Sequence, residues 1–355
     1  MGVIGCGYWG PNLVRNFRSL PDCEVHAVCD VNEERLRHMQ SVYPEIKGLS
    51  DYRMLLGPDG PDAVAVAAPV KYHFPIAKEC LLAGKHTLVE KPLARSSSEC
   101  AQLMEIAERK GVTLMVGHTF LYSAAVRKIA DIIRAGEIGE IRCINARRLN
   151  LGLYQNDINV AWDLAPHDIS IILHILGQFP TAVNCQGNAH VTPGIEDVTN
   201  MSLTFPNHFA TIQSSWLEPR KIREMTFVGT RRMIVYDDLQ TSEKIRVYDA
   251  RVERPPHYDT FAEFHYSYHY GDCHIPHIKQ EEPLKVECQH FLDCIRSGEP
   301  PLTGGRNGLD LVRILEASSE SLRANGAAVR VPVDGFSNGL WHAALNGALA
   351  NGRAL

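Results

Sequence analysis

The sequence predicts an α/β protein in two parts: a parallel sheet interleaved with helices, then an α/β region whose sheet is largely antiparallel. Two observations carry this. Residues 1–118 alternate short apolar runs with helical patterns, and strands separated by helices pair in parallel through right-handed crossovers. Past residue 180 the apolar runs succeed one another across short turns, as antiparallel neighbours do. A chain of 355 residues also exceeds one ordinary core, so about two domains are expected.

The first strand, 1–5, runs into Ile4-Gly5-Cys6-Gly7-Tyr8-Trp9-Gly10, a G-x-G-x-x-G that leads into a helix at 11–19. A second apolar run, 24–29, closes on Asp30. Gly5 permits a tight turn, Gly7 lets the backbone approach a pyrophosphate, and Gly10 lets the helix pack close to the strand. The helix N-terminus then faces the phosphates. Asp30 is expected to accept hydrogen bonds from the adenosine ribose and to repel a 2′-phosphate, which selects NAD over NADP. Only Met1 to Ile4 precede the glycine turn, so the natural chain is expected to start a few residues earlier.

Further strands at 63–67, 86–89 and 113–116 alternate with helices at 32–43, 71–83 and 98–110, completing an NAD-binding domain over 1–118. Two loops fall at the carboxyl edge of its sheet, where open α/β sheets bind ligands: Ala68-Pro69 and Glu90-Lys91-Pro92. A helix at 121–135, a strand at 141–149 and a helix at 164–177 open a second domain, 119–333. Strands follow at 182–191, 197–205, 208–217, 222–229, 232–237 and 244–248. The segment 250–283 is rich in Pro, His and Tyr without periodicity and reads as a long loop. Helices return at 284–297 and 307–325. Residues 334–355 carry Gly, Asn and Ala and are expected to be a mobile tail.

A net charge of −5 argues against nucleic acid as the main partner. No segment reaches the ~18 apolar residues of a membrane span, and no signal peptide pattern opens the chain. The ten cysteines are scattered, with no C-x-x-C and no zinc spacing, which fits a reducing cytoplasm. His265 to His277 also lacks regular ligand spacing. It reads as a loop or subunit contact, and no metal is expected.

Three residues suit hydride chemistry on an alcohol. Lys91 follows the strand 86–89, and Asp163 and His167 lie four apart in Trp-Asp-Leu-Ala-Pro-His, on one face of a helix whose first turn tolerates Pro166. A neutral imidazole can take the hydroxyl proton near pH 7, an ammonium can hold the developing alkoxide, and a carboxylate can orient either group. Taken alone, Asp163 would read as a helix N-cap and His167 as an ordinary surface or core histidine. Together with Lys91 and a dinucleotide fingerprint they read as catalytic. Arg147 and Arg148 are candidates to pair with a diphosphate, against the alternative of a solvated strand edge. His118 and Tyr122 are candidates to line the substrate pocket.

Glu90-Lys91-Pro92 and Asp163-x-x-x-His167 resemble the signatures of the glucose–fructose oxidoreductase / inositol dehydrogenase / MocA family, and the resemblance runs from Gly2 to about Val333. It implies a Rossmann domain followed by a C-terminal α/β domain whose open antiparallel sheet makes a homodimer or homotetramer. It implies cofactor contacts from the glycine loop with Tyr8 and Trp9, from Asp30, the Ala68-Pro69 loop and His73, and from Glu90 and Lys91. It also points to a cis Lys91-Pro92 bond. The phrases at 7–17, 162–169 and 281–291 are similar to members acting on nucleotide-linked sugars. The reading is an NAD-dependent dehydrogenase of a nucleotide-linked sugar, oxidising a secondary hydroxyl such as C3 of a UDP-N-acetylhexosamine or its uronic acid. Alternatives are a dehydrogenase of a free sugar or inositol, an NAD-dependent glycosidase with transient oxidation, and a non-catalytic NAD-binding regulator.

Overall fold

A computed structural model describes residues 1–253 and 266–332. The expected tail at 334–355, and His265 with it, lies outside the described residues. The contacts divide the chain into two units: residues 1–123 with 281–316, and residues 124–280 with 317–355. The expected second domain runs without a break over 119–333, whereas residues 281–316 group with the first unit here.

The first unit holds six parallel strands: β1 (Gly2–Ile4), β2 (Ala27–Cys29), β3 (Lys47–Leu49), β4 (Ala63–Val66), β5 (His86–Glu90) and β6 (Leu114–Gly117). Their order is β3-β2-β1-β4-β5-β6. The order reverses between β1 and β4, the switch point across which this fold binds a dinucleotide. β3 escaped sequence reading because Lys-Gly-Leu is short and only partly buried. The strands are linked by α1 (Gly10–Arg18), α2 (Glu33–Val42), α3 (His73–Leu82) and α4 (Ser97–Lys110). Residues expected to start a helix at 121 instead make a 3-10 turn, Thr119–Tyr122, which ends before α5 (Ala124–Arg134). The core gathers Val3, Leu13, Phe17, Val28, Ala65, Leu88 and Met115, with Leu284, Cys288 and Phe291 of α7 (Pro283–Ser297). Arg15 and Asn16 of α1 donate to Glu282, just ahead of α7.

The second unit is built on nine strands. β7 (Ile141–Leu151), β8 (Ala182–Asn188), β9 (Val198–Thr204), β10 (Phe209–Ser215), β11 (Leu217–Gly229), β12 (Met233–Asp237) and β13 (Ile245–Glu253) are joined by β14 (Ser267–His274) and β15 (Val329–Arg330). The order is β14-β13-β12-β11-β7-β10-β9-β8-β15. Every pairing is antiparallel except β7 with β10, so the sheet is mixed though largely antiparallel. The loop expected over 250–283 is in part strand: β13 runs to Glu253, and β14 pairs with it at the sheet edge. β14 is exposed at nearly every position, so no apolar alternation marks it in the sequence.

α6 (Val160–Leu176) starts four residues earlier than expected, at a cap made by Asn159, whose Oδ1 accepts the Trp162 N–H at 3.1 Å. Pro166 therefore lies inside the helix and deprives the Trp162 carbonyl of its usual donor. α8 (Gly305–Arg323) completes the helices, and no described helix is long and apolar enough to cross a membrane.

Candidate active site

The glycine loop has the geometry its residues predict. Gly5 has φ +97°, and a Cβ there would lie 2.5 Å from the Ala67 carbonyl oxygen. A Cβ on Gly10 would collide with the Gly5 carbonyl, so the start of α1 rests directly on the turn. A Cβ on Gly7 would meet only Arg35, at 3.8 Å, which leaves the backbone open to a ligand. α1 has no side-chain N-cap, so its first N–H groups remain for phosphate oxygens. Tyr8 and Trp9 stand exposed at the loop, their rings edge-on at 5.4 Å.

Asp30 is 7% exposed. Its Oδ2 accepts the Cys6 N–H at 2.7 Å and its Oδ1 accepts the Asn32 N–H at 2.8 Å, which ties the acid to the glycine loop. Arg35 Nη1 stands 3.6 Å from the same carboxylate, a neighbour that the motif did not reveal.

The carboxyl ends of β4, β5 and β6 carry the remaining candidates of this unit. The Lys91-Pro92 bond is cis, and Lys91 is half-buried behind Glu90. Pro69 is exposed and Ala68 half-buried. His73, expected as a cofactor contact, is instead sealed at 1% exposure. Its Nδ1 lies 2.8 Å from the Pro92 carbonyl and its Nε2 lies 2.7 Å from the Ala68 carbonyl. The ring is spent on backbone and ties together the two loops that face the crevice. Tyr122 is likewise corrected. It is 3% exposed, belongs to the core, and its hydroxyl is paired with Thr303 at 3.0 Å.

His118 is the other pocket candidate of this unit. It is 1% exposed, and neither ring nitrogen has a hydrogen-bond partner within the protein. Burial, with Lys91 adding to it, lowers its pKa to about 3, so the ring is neutral and offers one donor and one acceptor. Sequence reading missed Glu287 of α7. It is fully buried, its Oε2 accepts the Thr119 hydroxyl at 2.7 Å, and its Oε1 has no partner. The available signal was an acid on the apolar face of a helix, between Leu284, Cys288 and Phe291.

In the second unit, Asp163 and His167 lie one turn apart on α6 and are both half-buried. Asp163 is not the N-cap. Its Oδ2 accepts the indole N–H of the buried Trp216 at 3.1 Å, a contact with no sequence signal. Tyr154 packs on Trp216 at 5.1 Å, and its hydroxyl is buried without a partner. Arg148 is corrected as a substrate contact. Its guanidinium makes a buried fork to Asp168, with Nε–Oδ2 2.9 Å and Nη2–Oδ1 2.8 Å. Arg147 points the other way along β7, is exposed, and stands 3.8 Å from Glu224. No group of three or more His, Cys, Asp or Glu among the described residues is placed to hold a metal ion.

Residues 1–118 match the model of the oxidoreductase family with an NAD-binding Rossmann fold, and residues 126–235 match the GFO/IDH/MocA C-terminal domain. The uncharacterized oxidoreductase YrbE of Bacillus subtilis is 27% identical over 90% of this chain and 93% of its own. Myo-inositol 2-dehydrogenase of Thermotoga maritima is 23% identical over 91% and 96%. The structure of the UDP-N-acetylglucosamine 3-dehydrogenase GnnA from Acidithiobacillus ferrooxidans superposes with TM-score 0.74 at 23% identity, covering 91% of this chain and 97% of that one. The chain belongs to the GFO/IDH/MocA family of oxidoreductases and carries its NAD-binding Rossmann fold.

Proposed function

We propose that the protein oxidises a secondary hydroxyl, at C3, of a nucleotide-linked sugar such as a UDP-N-acetylhexosamine or its uronic acid. The observation that carries the reading is the pairing of Asp163 and His167 one turn apart on α6, with Asp163 held by the Trp216 indole. His167 takes the hydroxyl proton as general base, Asp163 orients its ring, and Lys91 stabilises the charge that grows on the reacting oxygen. When bound, NAD supplies the hydride acceptor. The glycine loop, Asp30, Pro69 and Glu90 hold the cofactor, and His118 offers its unpartnered nitrogens to the ligand. Arg147 is the remaining candidate for the diphosphate, since Arg148 is consumed by Asp168. The phrases at 7–17, 162–169 and 281–291 support a nucleotide-linked substrate. A solved structure with the same fold is a UDP-N-acetylglucosamine 3-dehydrogenase.

A thermal-shift panel of UDP-, GDP- and dTDP-sugars, with free sugars and inositols beside them and NAD present throughout, tests the substrate class. Selective stabilisation by UDP-sugars is expected, because a ligand that binds only the folded state raises its stability by mass action. Stabilisation by free sugars or inositol alone would replace the nucleotide-sugar reading.

A further inference from the structure

Two buried acids meet beside the carboxyl ends of β5 and β6: Glu90, which the reading above gives to the cofactor, and Glu287, to which it gives no part. Glu90 closes β5, is 8% exposed, and stands in register with Gly117 of β6, where a Cβ would lie 3.1 Å from Glu90 Oε2. Glu287 reaches the same place from α7, fully buried and held only by Thr119. The titratable groups around Glu90 are Lys91 beside it in the chain, His118 at the end of β6, and Glu287 and Cys288 on α7. Burial keeps His118 neutral and pushes the Cys288 thiol up, and burial together with Glu90 holds the Glu287 carboxyl well above the carboxylate range.

We propose that Glu90 is a redox-linked proton site: ionised when the cationic nicotinamide of NAD lies beside it, and protonated when the neutral ring of NADH replaces it. The proposal rests on the cofactor crossing the switch point, so that its nicotinamide half lies over β4, β5 and β6. The physical reason is the strength of charge–charge attraction in a site with little water. A carboxylate next to a cationic ring is favoured, and the same carboxylate next to a neutral ring has lost its counter-charge. Burial lifts the Glu90 carboxyl to about 7, against the opposing pull of Lys91, so either state is accessible at neutral pH. The balance closes: alcohol and NAD give ketone, NADH and one proton, which His167 accepts and passes to solvent, while Glu90 takes one proton from solvent and holds it until NADH departs.

Titration calorimetry of the full chain in two buffers of different ionisation enthalpy counts the protons exchanged on cofactor binding. At pH 7, NAD binding is expected to release protons and NADH binding to take them up, the two exchanges together amounting to about one proton. Glu90→Gln is expected to abolish both exchanges, and Glu287→Gln to keep them. Persistence of the exchange in Glu90→Gln with altered cofactor affinity would overturn the proposal. Wild-type affinities and proton counts in Glu90→Gln would instead show that the nicotinamide does not lie along β5. Infrared difference spectra of the unsubstituted protein provide a reading free of any variant. A protonated-carboxyl band present with NADH and absent with NAD is expected, and identical spectra in that region would overturn the proposal.

Discussion

Asp30 shows how far a single residue can be read. Its position twenty residues past Gly10 marks it as the expected ribose contact, but Arg35, 3.6 Å away, carries no such mark. We expect NAD to bind more tightly than NADP in fluorescence titrations, because the carboxylate repels an added phosphate. Asp30→Ala should narrow or reverse that preference, since Arg35 remains as a phosphate partner. An NADP affinity unchanged by the substitution would contradict the role given to Asp30. Arg147 and Arg148 show the opposite limit. Alternation along a strand says that one of two neighbours is buried, but not which. The answer depends on Asp168, twenty residues on, which forks the Arg148 guanidinium. Breaking a buried pair strands a charge, so Asp168→Asn should cost about 3–5 kcal/mol in urea unfolding. Arg147→Ala, at an exposed pair, should cost well under ~1 kcal/mol.

At the scale of elements, five of the six parallel strands of the first unit are legible because buried strands read as unbroken apolar runs, and β3, only partly buried, is not. β14 was not, because an exposed edge strand carries no such run. The start of α6 was misplaced because Pro166 suggests a first turn, whereas Asn159 caps the helix. Asn159→Ala should lower stability by roughly 1 kcal/mol, the usual worth of an N-cap, and thermal or urea unfolding measures it. A loss below ~0.3 kcal/mol would mean that packing of the Val160–Leu176 helix, rather than its cap, fixes where it begins. His73 and Trp216 were invisible as a class. Each acts through a partner distant in sequence, Pro92 for one and Asp163 for the other.

At the scale of the molecule, the family motifs gave the two kinds of sheet but not the return of residues 281–316 to the first unit. An apolar helix face announces burial without naming what covers it. Stability as a whole should depend on pH through two buried histidines. Burial lowers His118 from 6.5 to about 3 and His174 from 6.5 to about 4. Below 6.5 the unfolded chain binds protons that the folded chain refuses, so their contribution is present above that pH and lost as pH falls towards 4. Glu90, raised to about 7, acts in the opposite direction, its contribution falling as pH rises from 4.5 to 7. His174→Gln should therefore flatten the acid limb of a stability–pH curve, and a limb of unchanged slope would contradict the burial argument. The turnover of three variants tests the proposed chemistry most directly. NADH formation from the most stabilising nucleotide sugar should fall at least ~100-fold in Lys91→Ala and in His167→Ala. NAD affinity should hold near the unsubstituted value in His167→Ala, and Asp163→Asn should show an intermediate loss. Near-normal turnover in His167→Ala would contradict the assignment of the base and, with it, the reading of the Asp163–His167 pair.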